Sequence, residues 1–409
     1  MAIVITNIKQ LAGVHHPVNA LRGKELSSLP VINDAYLVVE GNEIAAFGPM
    51  SELCGKYTST LDASLQTIIP AWCDSHTHLV FAASRENEFL DKIKGLSYAE
   101  IAAKGGGILH SAAKLAATSE DDLFNMAWKR LEEVSKLGTG AIEIKSGYGL
   151  SVAAELKMLR VIKRLKERSR LFIKATFLGA HTYPLQYKEN HQGYINEIIR
   201  EMLPVIGQEK LADYIDVFCE NGFFSPEETI TICKAGMQHG LKPKIHANQL
   251  HASGGVQAGV ALGAISVDHL ETMDDAAISA LAASATIGTM LPTAAFFLKM
   301  PFQPARKLID SNCTVALASD FNPGSSPSGN MNLVVSMACI QMSMLPEEAI
   351  NAATINGAAA MELQQHTGSI APGKTANLIV TKPIPSLAYL PYAFGSNLVD
   401  KVMIKGQWI

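Results

Sequence analysis

A chain of 409 residues, 48% of them hydrophobic and 18% charged, can bury a large core in about two structural units, as an ordinary globular protein does. Its 34 basic and 38 acidic residues leave a net charge of -4, which offers no basic field to a phosphate backbone, so nucleic acid is not an expected partner. The Ala-rich stretch around 257–290 is interrupted by Asp268, His269, Glu271, Asp274 and Asp275, and no apolar run approaches the ~20 residues of a membrane span.

The opening, MAIVITNIKQLAGVHH, has no basic n-region, long apolar h-region or cleavage site, so a cytoplasmic setting is expected. Six cysteines lie scattered without a C-x-x-C pair, which suggests reduced core residues rather than a disulfide framework or a zinc knot. Residues 31–49 alternate apolar and polar side chains around Gly41-Asn42, the pattern of a β-hairpin. Residues 375–383 and 398–409 are also strand-like, and the two ends of the chain are expected to pair. A composite β-sandwich of 1–66 with 376–409 follows.

Between them, over 67–375, short apolar runs alternate with longer amphipathic stretches, as repeated βα units do. Eight candidate strands cover 67–79, 140–149, 171–181, 214–220, 242–248, 264–271, 286–292 and 314–323. The stretch 120–138 opens with acids and closes on Lys136 and Gly138, as a capped helix should. Eight such units predict an α/β fold, a (β/α)8 TIM-type barrel whose chemistry sits at the C-terminal ends of the strands. Polar residues fall there: His76 and His78, Tyr148, His181, Glu220, His246, His269 and Asp320.

In D-S-H-T-H, His76 and His78 stand two apart, so on an extended strand both imidazoles project to one face and can close on one cation. With 12 His in the chain an accidental H-x-H is common. The pair gains weight from His246 and Asp320 at the ends of two other predicted strands. Three imidazoles and one carboxylate suit zinc or iron (Fe2+ or Fe3+) better than magnesium or calcium. Such an ion lowers the pKa of a bound water toward ~7, so hydroxide becomes the nucleophile and no Ser or Cys is needed. Asp320 could then take the proton and pass it to a leaving nitrogen.

Residues 70–82, PAWCDSHTHLVFA, resemble the metal-binding strand of the amidohydrolase superfamily. SRENEF (84–89), GGGI (105–108), EIKSGYGL (143–150), FLGAH (177–181), DHLE (268–271) and ASDFNPGSSP (318–327) resemble more narrowly its imidazolonepropionase family, over nearly the whole chain. The resemblance implies a barrel with a small β-sandwich built from both termini, and one zinc or iron ion held by His76, His78, His246 and Asp320. It also implies a step of histidine degradation, in which hydroxide held by that ion hydrolyses 4-imidazolone-5-propanoate to N-formimidoyl-L-glutamate. Arg85, Tyr148, His181, Asn322, Gly324 and Ser325 match positions that touch the substrate, with His269 beside the metal water; a homodimer is the expected assembly.

These roles are physically reasonable. The planar fork of Arg85 suits a propionate arm, although a surface salt bridge is its bland alternative. Backbone N–H groups of Gly324 and Ser325 could take a substrate oxygen, or the segment could be only a tight turn. Tyr148 could donate its hydroxyl or merely pack. His181 or His269 could steady a developing oxyanion, which is given to His269, or be satisfied core histidines. At 249 a Gln stands where some relatives carry a carboxylate, so Gln249 is expected to contact substrate only. Asn377 replaces a usual Asp in the terminal unit, where it should affect stability. Lys145 raises the question of a carbamylated lysine bridging two metals, but no second ligand set is evident and one metal is expected. The rivals are another cyclic-amide or aminopurine hydrolase on the same barrel, and a catalytically dead scaffold.

Overall fold

The computed structural model describes residues 2–15, 19–55, 57, 59–96, 100 and 106–409; Met1, His16 and Gly105 of the motifs quoted above lie outside the described residues. The N-terminal region forms β1 (Ala2–Ala12), β2 (Val31–Glu40), β3 (Glu43–Pro49), β4 (Ser59–Asp62) and β5 (Thr67–Pro70). Gly41, at φ +59°, makes the turn of the β2–β3 hairpin.

The central region supplies β6 (Trp72–Asp74), β7 (Thr139–Lys145), β8 (Phe172–Ala180), β9 (Tyr214–Cys219), β10 (Lys242–Ala247), β11 (Ser266–His269), β12 (Ile287–Met290) and β13 (Val315–Leu317). Helices such as Glu120–Lys136 and Val152–Arg168 connect them. Every residue of β7 and of β9 is buried, as parallel strands covered on both faces require. Among the described residues the eight strands pair in parallel in the order β13-β12-β11-β10-β9-β8-β7-β6. Between β6 and β13 the circle is closed by the segments that follow those strands: His78 N donates to Phe321 O at 2.9 Å, Asp320 N to His76 O at 3.0 Å, and Thr77 bridges Phe321.

The C-terminal strands β14 (Leu378–Thr381), β15 (Val399–Ile404) and β16 (Gln407–Trp408) join the N-terminal ones in a mixed sheet, order β16-β15-β14-β5-β1-β2-β3 with β4 on β1. This sheet encloses its own core of Ile5, Ile8, Leu11, Leu37, Ile68, Leu378 and Met403, apart from the main core between barrel and helices. A barrel with a small sandwich from both termini is therefore the fold.

One expected element divides. The run 67–79 is two strands, because β5 pairs with β1 and β14 of the terminal sheet whereas β6 pairs with β7 of the barrel. The handover occurs at Ala71, whose N donates to Asn377 O at 2.9 Å, while the next amide, Trp72 N, donates to Gly138 O at 2.9 Å. Asn377 also accepts from Lys405 N at 2.8 Å, so it sits at the joint between the two units. All six cysteines are unpaired, and no helix among the described residues is long and apolar enough to cross a membrane.

Candidate metal centre and active site

His76 and His78 lie beyond the end of β6, not within it. Extended alternation persists there because the segment still pairs with its neighbours: Thr77 O accepts from Lys145 N at 2.8 Å and Thr77 Oγ1 donates to Glu143 O at 2.7 Å. Thr77 is thereby turned toward β7, and the two imidazoles converge with ring centroids 5.4 Å apart. His246, in β10, brings its ring to 4.5 Å from that of His76 and 5.5 Å from that of His78. Asp320, after β13 and at φ +52°, places Oδ1 3.5 Å from His76 Nε2 and 3.6 Å from His78 Nε2.

Two overlapping groups result whose ligand atoms all lie within 4.8 Å of one another: His76, His78 and Asp320, and His76, His246 and His269. His269, at φ +88°, thus stands beside the expected ligands. Buried and without a hydrogen-bond partner among the described residues are His76 Nε2 and His246 Nε2. Buried nitrogens of this kind normally have a partner. Here the opposite nitrogen of each ring is held: His76 Nδ1 donates to Asp268 Oδ2 at 2.6 Å and His246 Nδ1 to Asp216 Oδ2 at 2.9 Å. Such bonds fix the tautomer and aim the Nε2 lone pair, as in histidine metal sites generally. Burial, reinforced by the charges of Lys145 and the neighbouring histidines, holds both rings well below the usual histidine pKa and therefore neutral.

Lys145 is fully engaged as an ammonium in this arrangement. Its ammonium, buried in the barrel, donates to Glu143 Oε1 at 2.6 Å and to Asp216 Oδ2 at 2.8 Å. Burial opposes its charge, but Asp216, Glu143 and Asp268 together raise its pKa above the usual lysine value, so the free amine that carbamylation needs is withheld.

Burial pushes the Asp320 carboxyl up to about 6, against the lowering effect of His269 and the Ser325 hydroxyl. At His269 burial disfavours the cation, yet Glu271, with Nδ1 and Oε1 3.4 Å apart, together with Asp320 and Asp268 outweighs it and raises the pKa. Burial takes His181 down to about 4; its Nδ1–H donates to Gly147 O at 3.1 Å, and its ring stacks on His78 with centroids 5.4 Å apart. Tyr148 is buried with its ring 5.8 Å from that of His78. The loop that carries it is gripped by the fully buried Glu155, which accepts from Gly147 N, Gly149 N and Leu150 N at 3.0, 2.6 and 3.1 Å. Gln249 sits in a segment that Glu220 clamps by accepting from Leu250 N at 2.8 Å and His251 N at 3.2 Å.

Two of the expected substrate contacts are also engaged within the protein. The amides of Gly324 and Ser325, expected to face a substrate oxygen, already donate to Asn322 Oδ1 at 2.7 and 2.8 Å. Asn322 organises the turn, as Asn does where its side chain satisfies amides two and three residues on, and the Ser325 hydroxyl donates to Asp320 Oδ2 at 3.0 Å. The Arg85 fork is half engaged: Nε and Nη2 both donate to Glu88 Oε2, at 2.9 and 2.5 Å, while Glu88 Oε1 accepts from Gly107 N at 2.8 Å. The guanidinium lies over Gly324.

Sequence reasoning missed Asp216, Asp268, Glu271, Glu155 and Glu88. The first two had a signal, since a charged residue inside a parallel strand buried on both faces has to be paired within the barrel.

Comparison with known proteins accords with this geometry. Residues 67–409 match the amidohydrolase family. An imidazolonepropionase of Flavobacterium johnsoniae is 56% identical over 411 residues, with 100% of each chain covered. One of Clostridium tetani is 42% identical over 94% of this chain and 93% of its own. Of solved structures, a triazine hydrolase variant aligns with TM-score 0.75 at 15% identity, over 100% of this chain and 94% of that one. E. coli guanine deaminase aligns with TM-score 0.74 at 12% identity, over 100% and 99%. Identities so low show the barrel alone, whereas the full-length relatives show the branch. The chain belongs to the amidohydrolase family and, within it, to the imidazolonepropionases.

Proposed function

We propose that this chain hydrolyses 4-imidazolone-5-propanoate to N-formimidoyl-L-glutamate, the reaction its relatives' name denotes, as a cytoplasmic step of histidine degradation. The observation that supports the reading is that the buried, unpartnered Nε2 atoms of His76 and His246 stand in two ligand groups that share His76, one with His78 and Asp320 and the other with His246 and His269. Their chemistry fits a single zinc or iron ion held by His76, His78, His246 and Asp320. Bound there, the ion would acidify a water and polarise the ring carbonyl.

The chain's own groups account for the rest. Water adds across the ring C–N bond: oxygen goes to the carbonyl carbon, the C–N bond breaks, and a proton must reach the leaving nitrogen. Asp320, with its carboxyl raised to about 6, is suited to take the proton at Oδ1 and return it to that nitrogen. His269, favoured as a cation by Glu271, is suited to donate to the oxyanion that forms. Arg85 presents the edge of its fork not taken by Glu88 to the propionate carboxylate. Tyr148, His181 and Gln249 contact the ring, and Asn322, Gly324 and Ser325 shape the wall beside Arg85 and Asp320. The terminal unit, 1–66 with 376–409 joined by the strand β5 that pairs with it, supports the barrel that follows up to 375, and a homodimer is the assembly we infer from the family alone.

The test is loss of ultraviolet absorbance by freshly prepared 4-imidazolone-5-propanoate, with and without prior chelation. Chelator-sensitive turnover restored by Zn2+ or Fe2+ is expected; a protein that binds one metal equivalent yet leaves this substrate untouched would overturn the substrate assignment.

A further inference from the structure

Beneath the site lies a cluster of five ionisable side chains with no solvent exposure: Lys145, Lys244, Glu143, Asp216 and Asp268. Charge neutrality alone would explain Lys244, which pairs with Glu143 and donates to Ser75 O and Ala360 O at 3.2 Å each. Lys145 is placed differently. Its ammonium faces three carboxylates, Glu143 Oε1 at 2.6 Å, Asp216 Oδ2 at 2.8 Å and Asp268 Oδ2 at 3.5 Å, as many acceptors as it has N–H donors. The two aspartate oxygens that face it are the same atoms that hold the imidazoles: Asp216 Oδ2 accepts from His246 Nδ1 and Asp268 Oδ2 from His76 Nδ1. Neither carboxylate can turn about its Cβ–Cγ bond without breaking both its imidazole bond and its contact with Lys145. Asp216 is further fixed by His246 N, which donates to Oδ1 at 3.0 Å.

We propose that Lys145 is a positioning residue that grips Asp216 and Asp268 at once, so that His76 and His246 present their Nε2 atoms to the metal as one locked pair. The inference rests on the metal reading above, but its geometry lies wholly within the protein. Without that grip Asp216 keeps only its bonds to His246 and Asp268 only those to Ser266 and His76, so each Oδ2 is less firmly set against its imidazole, which can then adopt the other tautomer, with the proton on Nε2 where a metal ligand needs a lone pair.

The experiment uses the full-length protein stripped by chelation, with Zn2+ alone as the probe. Zn2+ affinity is read by competition with a chromophoric chelator, and imidazole tautomers by 15N resonance of the metal-free protein. The K145M variant is expected to bind Zn2+ about 10–100-fold more weakly than wild type and to show mixed tautomers at His76 and His246, where wild type shows a single Nδ1–H form. The K244M variant removes an equally buried ammonium that bonds neither aspartate, and should keep wild-type tautomers and nearly wild-type affinity. Should K145M lose its far-ultraviolet dichroism, K145Q, which lacks the charge and is one bond too short to reach both aspartates as the ammonium does, carries the same test. Wild-type affinity and single tautomers in a folded Lys145 variant, or an equal loss in K244M, would overturn the proposal. If wild type itself fails to bind Zn2+ the metal reading falls, and the metal-free resonances still decide the role of Lys145.

Discussion

Gly324 offers a sharp test of how the substrate's carboxylate is held. A Cβ built at this position lies 3.1 Å from Arg85 Cζ and closer still to Nη1, where carbon contacts are ordinarily about 3.5–4.0 Å. In Gly324→Ala the guanidinium must retreat by about 1 Å, which is cheap because it is the far end of a flexible chain. Gly324 is not among the positive-φ glycines, so the backbone accepts Ala without strain. Stability should change little, whereas a charge-assisted hydrogen bond worth about 1.5–3 kcal/mol is weakened or lost. At 1.4 kcal/mol per decade that corresponds to a fall in kcat/KM of about 10–150-fold, carried by KM if Arg85 holds the arm equally in ground and transition states. Steady-state kinetics on 4-imidazolone-5-propanoate, with a thermal melt as control, reads both. A variant with wild-type kcat/KM would refute the placement of the carboxylate at Arg85.

Asp320→Asn removes the proposed proton carrier at almost constant volume and should lower turnover by at least about 10²-fold; activity within tenfold of wild type would sink the proton route. Gly259→Ala should destabilise the barrel by about 1–3 kcal/mol in urea unfolding, because its Cβ would sit 2.5 Å from Val267 Cγ1 where the helix Gly255–Ala261 packs on β11. An unchanged midpoint would show that this helix packs elsewhere. His15 gives a pH test. Burial lowers its pKa below 6.5, so as acid is added the unfolded chain binds the proton first; the stability due to the neutral ring is whole above pH 6.5 and lost as pH falls toward the depressed folded value. His15→Gln keeps a donor for Asn351 Oδ1, now 3.0 Å from His15 Nε2, and should flatten that part of the urea-stability profile relative to wild type; parallel profiles would refute the linkage.

The barrel was legible because all but one of the eight predicted strands are short apolar runs ended by a polar residue, and His76, His78, His246 and Asp320 stand at such ends. Their convergence could be expected from the fold alone. The division of 67–79 was not legible, since the run IIPAWC from 68 to 73 is apolar throughout and only Pro70 hints that the chain changes sheets there. Asn322 and Arg85 show another limit. The sequence offers donors and a fork, but whether they face a ligand or a neighbour depends on Asn322 Oδ1 and Glu88, whose reach is set by backbone turns. Asp216 and Asp268 alternate with apolar neighbours and look like ordinary polar strand positions until the circle closes and turns them inward.

The closure between β6 and β13 ties the timing of site formation to synthesis of the chain. The segments that complete the circle, 76–78 and 320–321, are roughly 240 residues apart and carry the first and last of the proposed ligands. The full proposed set of four ligands therefore cannot assemble on a nascent chain that has yet to emerge past Asp320, and a half-made barrel that ends before His246 has only the H-x-H pair with which to capture stray metal. An ion held by both segments would act as a clasp across the most weakly bonded join in the circle, coupling occupancy of the site to the persistence of the barrel itself.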